Sequence, residues 1–239
     1  PSSSTVGRRP KLATPGSALR SWAEERLEVI LVNTQGERAP TKAQALAQVH
    51  KILADAPRAR ENGDIFVNYS NDIVTVLTTE GSAERTTLLA ALNAALDKLS
   101  VDAGLSKADQ LGAVQAKVSL ALMDKPKGSK PELAPELVAQ AQAAATKADT
   151  SSTDKYERQA VIPSAAHLLS QVGMIDASDA MLKAELPKAV SSYYHMLVLS
   201  SNAKLREDKV AALDWAEKAY AGSQGPATRL QWGSGYVQK

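Results

Sequence analysis

Not one of the 239 residues is a cysteine. That excludes disulfides, thiolate nucleophiles and cysteine-based zinc or iron–sulfur sites. Phenylalanine occurs once, and the 44% hydrophobic content is carried largely by Ala and Leu. Such a bias favours helices packed closely through small side chains over a sheet. Neither sign of charge is in excess. Twenty-eight basic and 26 acidic residues leave a net charge of +2, too little for a nucleic-acid or anionic-membrane footprint. No apolar run reaches the about 18 residues of a membrane span, and Pro1 does not open the charged, apolar and small-residue succession of a secretory signal. A start without Met and an end at "GSGYVQK", inside an expected helix, suggest a piece of a longer protein.

Recognisable chemistry is equally scarce. The phosphate-cradling GxxxxGK[ST], the HExxH zinc helix, the GxSxG elbow and the kinase signatures do not occur. The histidines are isolated from one another in sequence. His167 and His195 each precede apolar residues on an expected first helix of a hairpin, so in a stack they could face a common groove as a small-molecule site. No carboxylate at ligand spacing accompanies either, so partly buried structural imidazoles are the stronger expectation. Adjacent acidic pairs, Glu24-Glu25 and Glu207-Asp208, diverge around a helix instead of converging on a substrate. No catalytic residue, metal ligand or cofactor is expected, and the chain by itself is not expected to be an enzyme.

What the chain does have is periodicity. Residues 1–20 are rich in Pro, Gly and Ser, the composition of a linker or arm. Residues 21–239 carry apolar positions at helical spacing, such as Leu88, Leu92, Ala95, Leu96 and Leu99, then Leu111, Val114, Val118 and Leu122. Frequent Gly and Pro punctuation cuts this region into about ten helices, and Ser106 with Asp109 has capping-box spacing. Leu27–Asn33 and Asp72–Thr79 are β-branched enough for strands, but are assigned to buried helices because nothing else supplies a sheet. The expected fold is all-α: stacked antiparallel hairpins in a tetratricopeptide-like α-solenoid or right-handed superhelix.

The clearest repeat spans 190–226. Met196, Leu199, Ser200 and Ala203 take the packing positions of its first helix, and Ala212, Leu213, Ala216, Ala219 and Tyr220 those of its second. A weaker copy, Ala165 to Ala189, turns at Gly173 and continues with Ala177, Ala180 and Ala184. Gly225 is expected to break the chain between helices, with Pro226 in the first turn of the last one. Trp215, Tyr220, Trp232 and Tyr236 crowd the C-terminal end, just beyond Tyr193 and Tyr194. Helical neighbours diverge by about 100°, so the two tyrosines should not both enter the hairpin. The partner-binding candidates are Tyr193, Tyr194, Lys204, Arg206, Trp215 and Trp232.

The run from Ala184 to Val237 is most specific at "GPATRLQWG", with the "WAEKAY" helix before it and the "AELP…SYY" junction further upstream. It resembles the C-terminal helical-repeat region of bacterial thioredoxin-family, thiol–disulfide isomerase-like proteins. The resemblance implies an exported, periplasmic setting and a parent oxidoreductase whose activity resides in a CxxC motif. With no cysteine here, no catalytic residue carries over. What remains is an accessory module that docks a protein partner or thioredoxin-domain substrate, or alternatively one that self-associates through its aromatics.

Overall fold

The computed structural model describes residues 41–125 and 132–223, and every regular element among them is a helix. The ten helices are α1 (Lys42–Ala54), α2 (Ala56–Glu61), α3 (Gly63–Leu77), α4 (Ala83–Val101), α5 (Lys107–Leu122), α6 (Pro135–Ser151), α7 (Lys155–Gln171), α8 (Ile175–Glu185), α9 (Tyr193–Leu205) and α10 (Lys209–Gly222). The all-α class expected from composition is what is observed. The stretch from Asp72 is helical through Leu77, with Ile73 and Val74 wholly buried, so tertiary burial overrides its β-branched propensity. The arm at 1–20, Leu27–Asn33, the Gly225-Pro226 break, Trp232 and Tyr236 lie outside the described residues.

Local signals explain the helix boundaries. Thr41 and Gln44 form a reciprocal capping box at α1, and Ser82, Ser106, Asp154 and Asp208 each cap a helix through a side-chain oxygen. Asp109 uses its carboxylate to accept from the Ser106 hydroxyl. Gly173, at φ 84°, ends α7 in a Schellman turn: Met174 N–H reaches the Leu169 carbonyl and Gly173 N–H that of Ser170. Gly63 opens α3 where a Cβ would come within 3.0 Å of one Leu99 methyl group, so its lack of a Cβ allows α3 and α4 to close together.

The helices touch in a regular order. α3, α5, α7 and α9 each contact the next in that series, while α4, α6 and α8 each bridge two consecutive members and α10 lies on α9. The apolar interior divides accordingly. One cluster joins α1 to α5, a second joins α5, α6 and α7, and a third places Ala166, Leu182 and Leu199 against Trp215. α5 serves two clusters at once, giving Ala113, Ala116 and Leu120 to the first and Leu111, Val114 and Val118 to the second. A helix buried on two sides keeps only a narrow stripe for polar residues.

Two details differ from expectation. Ala177, Ala180 and Ala184 are exposed, and α8 instead buries Ser178, Leu182 and Glu185. Its register is set by polar bonds. Ser170 Oγ donates to Ser178 Oγ at 2.9 Å, Asn202 Nδ2 donates to Ser178 Oγ at 2.8 Å, and Arg158 grips Glu185. Leu213 is also exposed, because α10 turns the small residues Ala212, Ala216 and Ala219 toward α9.

Candidate docking groove

Along α5, Ala108, Gly112, Gln115 and Ser119 recur at i, i+4, i+7 and i+11, so they share one side of the helix. None of the four belongs to either apolar cluster. Asp64, Asn68 and Asn71 form the matching stripe on α3, and His167 and Gln171 the one on α7. Together they line a groove of about 490 Å³. At Gly112 a Cβ would come within 2.9 Å of Val67 Cγ1, so glycine lets α3 and α5 approach at the groove wall.

Side-chain amides tie the series of helices together across this surface. Asn71 Nδ2 lies 3.5 Å from the Ser119 carbonyl, Gln115 Nε2 donates to the Ser164 carbonyl at 2.8 Å, and Gln159 bonds both the carbonyl and the N–H of Ser191. Each link joins one member of the series to the next or to the residues entering it. No sequence motif marks these amides. Their only signal is that they recur at helical spacing on helices otherwise apolar on two sides.

The two histidines are not presented together. His167 stands exposed at the groove, where desolvation by the surrounding walls lowers its pKa. His195 has 0% of its surface exposed, and among the described residues no group stands in hydrogen-bonding geometry to either ring nitrogen. Burial pushes its pKa down, opposed by the Glu185 charge and the Ser191 backbone, while Arg158 lowers it further. Its folded pKa therefore lies below the unfolded value of about 6.5. The unfolded chain binds the proton first, so stability present above about pH 6.5 is lost as pH falls toward the folded pKa. His195→Leu should flatten the part of the urea-stability profile that falls below pH 6.5. A profile as steep as the parent's would refute the assignment.

The other sequence candidates occupy the α9–α10 end. Tyr194 is 43% exposed and Tyr193 half-buried, and their rings meet at 4.2 Å between centroids, tilted by 34°. The neighbours thus turn toward each other, and the Tyr194 hydroxyl, with burial, pushes the Tyr193 pKa up to about 12. Lys204 is exposed. Arg206 is engaged by Asp179 at 2.9 Å and Asp176 at 2.7 Å, which makes it a tie between α9 and α8. Trp215 is half-buried against the third cluster, with Lys218 Nζ 4.8 Å from its ring centroid.

Among the described residues no helix is long and apolar enough to cross a membrane, and no group of three or more His, Cys, Asp or Glu could hold a metal ion. Comparison with protein-family models, with curated proteins and with solved structures returns no match.

Proposed function

We propose that this chain is a non-catalytic helical-repeat interaction module, stacked as a solenoid, that docks a protein partner on the side formed by α3, α5, α7 and α9. One observation carries the reading: α3, α5 and α7 together line a groove with Asp64, Asn68, Asn71, Gln115, Ser119, His167 and Gln171, residues that belong to neither of the apolar clusters these helices build. Helical stacks offer side chains from several repeats on one such surface. Tyr194, at the start of α9, supplies an exposed aromatic on the next member of the series. The run from Ala184 to Val237 supports a further step, in which the module accompanies a periplasmic bacterial thiol–disulfide oxidoreductase. A coding sequence upstream of Pro1 with no CxxC would remove that step.

The docking face is tested by placing a photo-crosslinking amino acid at Gln115, at Tyr194 and, as a control, at exposed Lys98 on α4. Crosslinks to one partner protein are expected from Gln115 and Tyr194 and not from Lys98. Crosslinks only to a second copy of this chain would favour self-association instead. Tyr194→Ala should leave the melting temperature within about 2 °C and weaken partner binding about tenfold, as the loss of an aromatic interface anchor does. Unchanged binding would remove Tyr194 from the interface.

A further inference from the structure

Of the described histidines only His195 is buried, and the charges acting on its ring come from Glu185 at the end of α8 and Arg158 on α7. It therefore lies in the joint between α9 and the helices that precede it. An imidazole enclosed there, with no group among the described residues in hydrogen-bonding geometry to either nitrogen, has given up its water without replacement. Opening the joint rehydrates it. Protonation adds to that preference, because burial disfavours the imidazolium and Arg158 repels it, while Glu185 and the Ser191 backbone pull the other way. Glu185 is already engaged by Arg158 and Lys188.

The other charges around α9 are paired or face outward. On α8, Asp176 and Asp179 bind Arg206 of α9, and Asp149 of α6 stands on Arg158. Lys209, Asp214, Glu217 and Lys218 of α10 are exposed, as are Tyr194 and Lys204 of α9, and Tyr193 rests against Tyr194. The joint itself has little apolar material. Ala166, Leu182 and Leu199 are the buried residues of its cluster, fewer than in either of the other two clusters. The remaining ties are polar: Asn202 Nδ2 donates to Ser178 and Asp179 at 2.8 Å each, and Gln159 holds the Ser191 backbone. Water can replace such bonds at modest net cost. Residues 186–192 join α8 to α9 without forming a helix, and α10 lies on α9, reaching the third cluster through Trp215. The two helices have the makings of a unit that opens together.

We infer that α9 and α10 form an acid-released hairpin: when His195 takes up a proton, the pair detaches from α7 and α8 while the helices before it stay folded. The open hairpin binds the proton first, as an exposed imidazole does near pH 6.5, so a pH falling through about that value favours release. Glu185 is held below its ordinary value and keeps its charge across this window, so its carboxyl does not drive the opening. Tyr194 leaves the docking side together with α9; that consequence rests on the docking reading above, whereas the release does not.

The test is amide hydrogen exchange of the full chain alone, read as protection factors at about pH 7.5 and about pH 5.5 so that the intrinsic pH dependence of exchange is removed. α9 and α10 are expected to be at least about tenfold less protected than α4 and α5 at both values. Their protection is expected to fall about tenfold between the two, as one linked proton with an open-state pKa of about 6.5 requires. His195→Leu, or His195→Gln if the leucine variant does not fold, should abolish the fall, and His167→Gln at the exposed histidine should retain it. Equal protection of α9–α10 and α4–α5, no fall in the parent, a fall that survives replacement of His195, or one lost with His167 would each overturn the inference. Because no partner is present, every one of these outcomes is independent of whether Gln115 and Tyr194 crosslink.

Discussion

Arg158→Ala should lower the melting temperature by about 6–12 °C, corresponding to about 3 kcal/mol for a chain of this size. The guanidinium ties its own helix, α7, to α8 and to the C-terminal end of α6. Nε and Nη2 donate to Glu185 at the end of α8, with Nη2 at 2.7 Å from Oε2, and Nη2 also reaches the Asp149 carboxylate at 2.7 Å. Nη1 donates to the carbonyls of Asp149 and Ser152 at 2.8 Å each. Removing it strands Glu185, whose side chain is 4% exposed, leaving Lys188 at 3.1 Å as its one ion-pair partner among the described residues. Breaking one partner of a buried pair is far costlier than replacing both. Accordingly, Arg158→Met with Glu185→Leu should recover much of the loss, and Arg158→Lys, which lacks the planar fork, should not.

The same cluster has a pH signature. Burial raises the Glu185 pKa, but the bonds from Arg158 and Lys188 outweigh it and hold the carboxyl below its ordinary value. Its contribution is therefore present above the unfolded pKa of about 4.3 and lost as pH falls through the lower folded value. In Arg158→Ala that acid-dependent loss should largely disappear. A melting temperature within about 2 °C of the parent at neutral pH would refute the structural role assigned to Arg158.

Ala216→Glu should be similarly damaging, by about 2–4 kcal/mol, or roughly 4–16 °C in melting temperature. Ala216 is buried on α10 between Ala212 and Ala219, on the side that faces α9, where Ser200 Oγ donates to the Ala212 carbonyl at 2.7 Å. That bond requires the two backbones to be close, and a glutamate there would both force them apart and bury a charge with no partner. Glu at exposed Leu213, one turn away on the outer side, is the control and should be nearly neutral. Equal effects at the two positions would contradict the packing described.

How far these positions could be read in advance follows from their chemistry. Ala212, Ala216 and Ala219 were legible because small residues at helical spacing signal close approach between helices. The same rule misled in α8, where Ala177, Ala180 and Ala184 are equally periodic and face outward. Periodicity locates a stripe but not the side on which a neighbour stands. In α8 that side was chosen by Ser178 and Glu185, whose bonds to Ser170, Asn202 and Arg158 all reach other helices. Trp215, a partner-binding candidate in the sequence, is half-buried for the related reason that its cover comes from Leu199 and Leu182 on other helices.

By itself the sequence determined the class and the segmentation: Ala- and Leu-rich helical spacing, Gly173 at a left-handed turn, and capping residues at helix starts are properties of neighbouring residues, which act over one or two turns. The groove was decided only by tertiary structure. Asp64, Asn71, Asp109, Gln115, His167 and Gln171 are unremarkable where they stand in the chain, and they become one surface only when α3, α5 and α7 are laid side by side. Tertiary packing likewise separated the two histidines, enclosing His195 beside the Glu185–Arg158 pair and leaving His167 at the groove. Hydrophobic burial depends on which helix covers which side, and that is settled by contacts between residues many turns apart.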